Sequence, residues 1–318
     1  MFRSFLVTIF LITSVSAFSC PERGGFYIPK AWSKNKSYQL DLFMDGLDAE
    51  ARISEFSFHN VFNRIVDRYR NTIESVRGTN LVARADWFND EPNARAGINR
   101  DTGNAEIIVF GGLARHPKMS EDGLALVLCH EIGHLIGGYP RKRPNDPVFA
   151  AAEAQADYFS VTKCFRSVFG KDQNENFLGD LLFETESSAD NLCSIVYSDT
   201  REYYTCLRSI KAAEDLAEVL TAFVRDGRGD PTIKVPQINT PDQTVVKKHT
   251  LSYPSIQCRF DTLVQGSLCD KGNDFPYGIN DDYEFGYCTR KEGYLLGSRP
   301  KCWFSPEAAE FDLLLSGL

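Results

Sequence analysis

No apolar run in this 318-residue chain reaches the roughly 20 residues that a bilayer-spanning helix requires; the stretch from Phe5 to Ile12 stops well short. The mature chain is therefore expected to be soluble, with no transmembrane segment. Basic charge is scarce too. The formal net charge is -8, and the one concentrated basic run is Arg141-Lys142-Arg143. Phosphate backbones bind to positive surfaces, so nucleic acid is not an expected partner. Internal repeats and low-complexity tracts are absent, which leaves no sign of a repeat array.

What is present is ordinary globular material, 43% hydrophobic and 25% charged, enough for a full core. Arg3, the apolar stretch Phe5 to Ile12 and the small residues Val15-Ser16-Ala17 make up the three parts of a secretory signal. Residues 1–17 are read as that signal, the mature chain as starting near Phe18, and the protein as exported, either periplasmic or secreted. Nine cysteines fit that destination, because an oxidising compartment favours bridges. Eight can form four bridges. Cys129, directly before His130, is the plainest choice for the free thiol, and local pairs such as Cys193 with Cys206, Cys258 with Cys269 or Cys288 with Cys302 are open to the rest. A rival parity makes Cys20 the odd one as a lipid-modified first residue, but the bulky Phe18 argues against such a signal.

Between Ile53 and Val76 the apolar residues Phe58, Val61, Phe62, Ile65, Val66 and Tyr69 recur at three and four, predicting an amphipathic helix ended by Gly78. Leu81, Ala83, Ala85 and Trp87 alternate as a strand would, and Pro92-Asn93 open a turn region. The β-branched run Ala105 to Phe110, between Asp101-Thr102-Gly103-Asn104 and Gly111-Gly112, predicts a second strand. Ser120 can cap the next helix, which Gly137-Gly138 and Pro140 end. A further helix is expected from about Pro147 to Val168 and another from Leu207 to Arg225. From Asp230 onward periodicity fades. The chain is thus read as α+β, with a catalytic domain over 18–229 and an irregular, disulfide-stapled region over 230–318 packed on it.

The chemistry concentrates in His130-Glu131-Ile132-Gly133-His134. Residues four apart share a helix face, so both imidazoles point one way with Glu131 beside them. A catalytic zinc site uses three protein ligands, and Glu153 supplies the third at thermolysin-like spacing. Asp157, four residues on, faces the same way and suits the outer nitrogen of a ligand histidine. Alanines at 150 to 152, 154 and 156 let two helices approach closely, so these carboxylates are expected to be buried and to need partners. With one Zn2+ ion bound, an activated water would attack a peptide bond with Glu131 as general base. The strand carrying Ile107 and Val109 is expected to pair with an extended substrate.

The segment from Glu121 to His134 resembles the metal helix of gluzincin metallopeptidases of the HtpX and CAAX-prenyl-protease type. Those proteins carry an Asn-Ala-x-Ala segment before a strand and Gly-Leu, as in Asn93-Ala94-Arg95-Ala96, Ile107-Ile108-Val109 and Gly112-Leu113. Glu153 to Asp157 is similar to their third-ligand motif, so the resemblance covers about Asn93 to Cys164. It implies a zincin-like fold and peptidase activity. Beyond Cys164 it weakens: Tyr253 stands where a histidine would be expected. The family's membrane helices are missing, and Glu153 follows sooner than in its membrane members. Tyr253 or His249 is left as the oxyanion donor, and Arg259 as a group that orients a carboxylate or the substrate. The expectation is an exported zinc endopeptidase acting on peptide or protein. Its rivals are a zinc-binding but inactive chaperone-like or envelope interaction protein, and a disulfide-stapled structural protein with an accidental motif.

Overall fold

The computed structural model describes residues 52–142, 150–178, 188–272 and 283–310. The signal segment, Cys20, Arg143 and Pro147 lie outside them. Helix α1 spans Glu55–Arg77. The Ser54 hydroxyl accepts from the Ser57 amide at its start, and Gly78, at φ 65°, turns the chain out at its end. Its apolar stripe is the one the periodicity predicts, from Phe58 to Ile73, all buried.

Three strands follow: β1 (Leu81–Asp86), β2 (Ala94–Ile98) and β3 (Ala105–Phe110). The sheet order is β1-β3-β2, with β1 parallel and β2 antiparallel to β3. Strand β3 is therefore central, and both of its hydrogen-bonding edges are taken. Ile107 and Val109 are fully buried beneath it. This corrects the expectation that β3 itself pairs with substrate. Strand β2 was hidden because Ala94, Ala96 and Gly97 have little strand propensity. They are small because the strand lies against the metal helix, where Ala94 and Ala96 are buried.

The metal helix, α2 (Glu121–Ile136), starts at Ser120, whose hydroxyl accepts from the Gly123 amide. Every residue from Asp122 to Ile136 is buried, as befits a helix apolar on all sides. Asp122 is neutralised by Arg208, with Nε and Nη2 each 2.8 Å from a carboxylate oxygen. At the other end Arg77 Nε donates to Leu135 O at 2.6 Å, a cation at the negative end of the helix dipole.

Helix α3 begins at Glu153, not near Pro147. It covers Glu153–Phe159, passes through a π-helical segment Ser160–Phe165 and ends in a turn at Arg166–Phe169. Ala151 and Ala152, just before it, are instead extended: Arg141 bridges Ala151, and Ala152 N–H donates to Pro140 O at 2.8 Å. Close approach of α2 and α3 depends on Gly133, where a Cβ would lie 2.9 Å from Ala156 Cα. Helices α4 (Ser188–Val196), α5 (Thr200–Arg228) and α6 (Ile256–Ser267) complete the frame. The last departs from the expected irregularity of the C-terminal region in one stretch: Ser255 caps a regular helix that packs on α3 and α5. Among the described residues no helix is long and apolar enough to cross a membrane.

Cys193 pairs with Cys206, one of the local pairs anticipated. The others differ: Cys129 bridges Cys164, Cys258 bridges Cys302, and Cys269 bridges Cys288. Cys129 is therefore not free. Helix α6 explains why Cys258 and Cys269 do not pair: they sit at its two ends, and the helical rise separates them by roughly 16 Å. A disulfide needs Cα atoms within about 7 Å. The Cys129–Cys164 bridge ties α2 to the helical segment that continues α3 across 35 residues of sequence. Loop-closure entropy makes that link worth about 4 kcal/mol. Replacing both cysteines by alanine is expected to lower the urea midpoint accordingly; an unchanged midpoint would contradict this.

Candidate metal centre

Helix α2 delivers His130 and His134 one turn apart, with ring centroids 4.6 Å from each other. Helix α3 delivers Glu153 at its first residue. Glu153 Oε2 lies 3.3 Å from His130 Nε2 and 3.4 Å from His134 Nε2. Donors about 2.05 Å from a small tetrahedral ion sit about 3.3–3.4 Å apart, so this spacing fits such an ion. All three residues are buried, and their donor atoms lie within 4.8 Å of one another. His134 Nε2 and Glu153 Oε2 have no hydrogen-bond partner among the described residues, although both are out of water. A cation among these desolvated atoms would satisfy them. His130, His134 and Glu153 therefore form a group that could hold a metal ion.

The outer nitrogens are fixed by acceptors. His130 Nδ1 donates to Asp157 Oδ1 at 2.7 Å, and His134 Nδ1 donates to Ala151 O at 2.9 Å. With a metal bound, each contact would set the tautomer that turns the Nε2 lone pair inward. Asp157 is held in turn by Arg259, with Nε 2.7 Å from Oδ2 and Nη2 2.8 Å from Oδ1. Helix α6 thus positions Arg259 to orient a carboxylate of the protein itself. Tyr253 lies over that guanidinium, with Arg259 Cζ 5.5 Å from its ring centroid. His249 is spent elsewhere: Nε2 meets the Tyr139 hydroxyl at 2.8 Å, and Nδ1 accepts from the Ser305 amide at 3.3 Å. Tyr253 is thus connected to the metal group through Arg259.

Charge is shared unevenly. Burial alone would depress His130, but the Asp157, Glu153 and Glu131 carboxylates together outweigh it and lift the pKa to about 9. Burial wins at His134, which is lowered. For Glu153 burial opposes ionisation, yet the imidazoles and Lys142 hold its pKa well below the usual carboxylate range. Asp157 likewise overcomes burial through Arg259 and His130 and falls to about 2. Glu131 is fully buried and close enough to act on the charge of His130.

Two contributors escaped the sequence reading. The Ala151 carbonyl carries no side-chain signal. Lys142, whose Nζ donates to Glu153 Oε1, stood in the basic run after the metal helix. No protein-family model, curated protein or solved structure matches the chain. What the fold and the site define is an α+β protein with a buried two-histidine, one-glutamate group on facing helices.

Proposed function

We propose that the protein is an exported zinc-dependent endopeptidase of gluzincin type. The observation that carries this reading is a fully buried Glu131 on the helix that presents two inward-facing imidazoles, opposite Glu153. Imidazole nitrogen and carboxylate oxygen favour zinc, and three protein ligands leave a fourth position open. When bound, the ion would polarise the scissile carbonyl and acidify a water. Glu131 takes the proton of the attacking water and passes it to the leaving amine. Tyr253 or His249 would supply the oxyanion donor, and Tyr253 stands over the Arg259 guanidinium that holds Asp157.

The substrate strand moves from β3 to β2. Asn93 O accepts from Phe110 N–H, so the antiparallel alternation turns the backbone groups of Ala96 toward the outer edge, while the Ala94 N–H, on the same side, is taken by Asn93 Oδ1 at 2.9 Å. An extended peptide pairing there would lie beside the metal helix.

The reading is tested by titrating zinc into metal-free protein at pH 7 in buffers of different ionisation enthalpy. With His130 protonated up to about pH 9, each zinc must displace a proton. One zinc per chain and about one proton released are expected, with affinity rising about tenfold per pH unit below pH 9. Absence of stoichiometric binding would remove the proposal. Cleavage of a mixed peptide library, abolished by chelation, completes the test.

A further inference from the structure

Lys142 brings a solvent-reaching charge to a buried ligand. Its side chain is 32% exposed, whereas that of Glu153 is 1% exposed. The ammonium donates to Glu153 Oε1, while Oε2 is the oxygen nearest the two imidazoles. The lysine is anchored by the strap that closes on α3. Lys142 N–H donates to Ala150 O at 3.1 Å, and Ala151 N–H donates to His134 O at 3.1 Å. The same strap presents the Ala151 carbonyl to His134 Nδ1. One short antiparallel contact therefore orients two of the three ligands.

A carboxylate with both oxygens available beside a dication can bind through both. That would fill the position a water requires. We propose that Lys142 is a positioning residue for Glu153: by claiming Oε1 it limits the carboxylate to one metal-facing oxygen and keeps the fourth position open. Its effect on turnover rests on the peptidase reading, but its effect on metal geometry does not. The sign of a second effect separates this role from a merely structural one. A cation beside the ligand repels a dication, so its removal tightens metal binding, whereas loss of a structural support weakens it.

The test compares wild type with Lys142→Met, Lys142→Gln and Lys142→Arg. Zinc affinity is measured by competition with a chromophoric chelator, coordination by the absorption of the cobalt(II) form, and turnover on a cleaved peptide. Lys142→Met and Lys142→Gln are expected to bind zinc about tenfold tighter. Their cobalt bands should weaken from four-coordinate to five-coordinate intensity, and kcat should fall at least about tenfold with KM little changed. Lys142→Arg retains the charge and should keep the wild-type spectrum. Weaker zinc binding, or an unchanged cobalt spectrum, in the neutral variants would overturn the proposal. If the wild type cleaves nothing, the peptidase reading fails, while zinc affinity and the cobalt spectra still decide the role of Lys142.

Discussion

Glu131→Gln is expected to bind one zinc per chain with near wild-type affinity and to hydrolyse peptides about 10²- to 10⁴-fold more slowly, the usual contribution of a positioned general base. The substitution preserves shape and removes only the capacity to take a proton. Glu131 is fully buried, and an ionised carboxylate out of water costs several kcal/mol unless something compensates it. A site that served only to hold metal would not require this group. Cleavage of a mixed peptide library by wild type and variant, quantified by mass spectrometry, decides the matter. Equal rates in the two proteins would remove Glu131 as the base, and cleavage by neither would favour the inactive chaperone-like or envelope interaction protein.

Asp157→Ala should be the most destabilising of the single substitutions considered. Asp157 accepts from His130 on one side and from Arg259 on the other, all three being buried. Its removal leaves the Arg259 guanidinium as a buried charge without this carboxylate, at a cost of about 3–5 kcal/mol. Zinc affinity should fall about 10- to 100-fold as the His130 ring loses its acceptor. Removing both partners in Asp157→Ala/Arg259→Ala should cost less than the sum of the single changes, which urea unfolding of the four proteins measures. The acid limb offers an independent check. Asp157 has its pKa lowered from 3.8 to about 2, so its contribution is full above pH 4 and is lost as pH falls toward 2. The variant should therefore show a flatter loss of stability over that interval; an acid limb matching wild type would contradict the assignment.

Much of this arrangement was legible along the chain because its signals are local. The spacing from His130 to His134 follows from one turn of helix. The Ser120 cap, the Gly78 stop and the β-branched run at Ala105 to Phe110 are likewise rules about neighbours in sequence. Glu153 and Asp157 were legible through their alanine surroundings, which implied close helix contact, and Gly133 against Ala156 is that contact. The order of the strands was not legible. A small-residue edge strand carries almost no propensity signal, so β2 went unseen and β3 was mistaken for an edge.

Sequence by itself determined that two imidazoles and a glutamate would share one helical face, because helical periodicity is set by the backbone. It also determined that a carboxylate four residues beyond Glu153 would share that residue's face. Only the tertiary structure decided which groups, distant along the chain, complete these residues. Arg259, 102 residues after Asp157, became its partner, and Cys164 became the partner of Cys129. Lys142 was brought to Glu153 by an antiparallel contact between two short extended segments. Such pairings depend on how helices pack and which buried charges must be matched, and those requirements arise only when the chain has closed on itself.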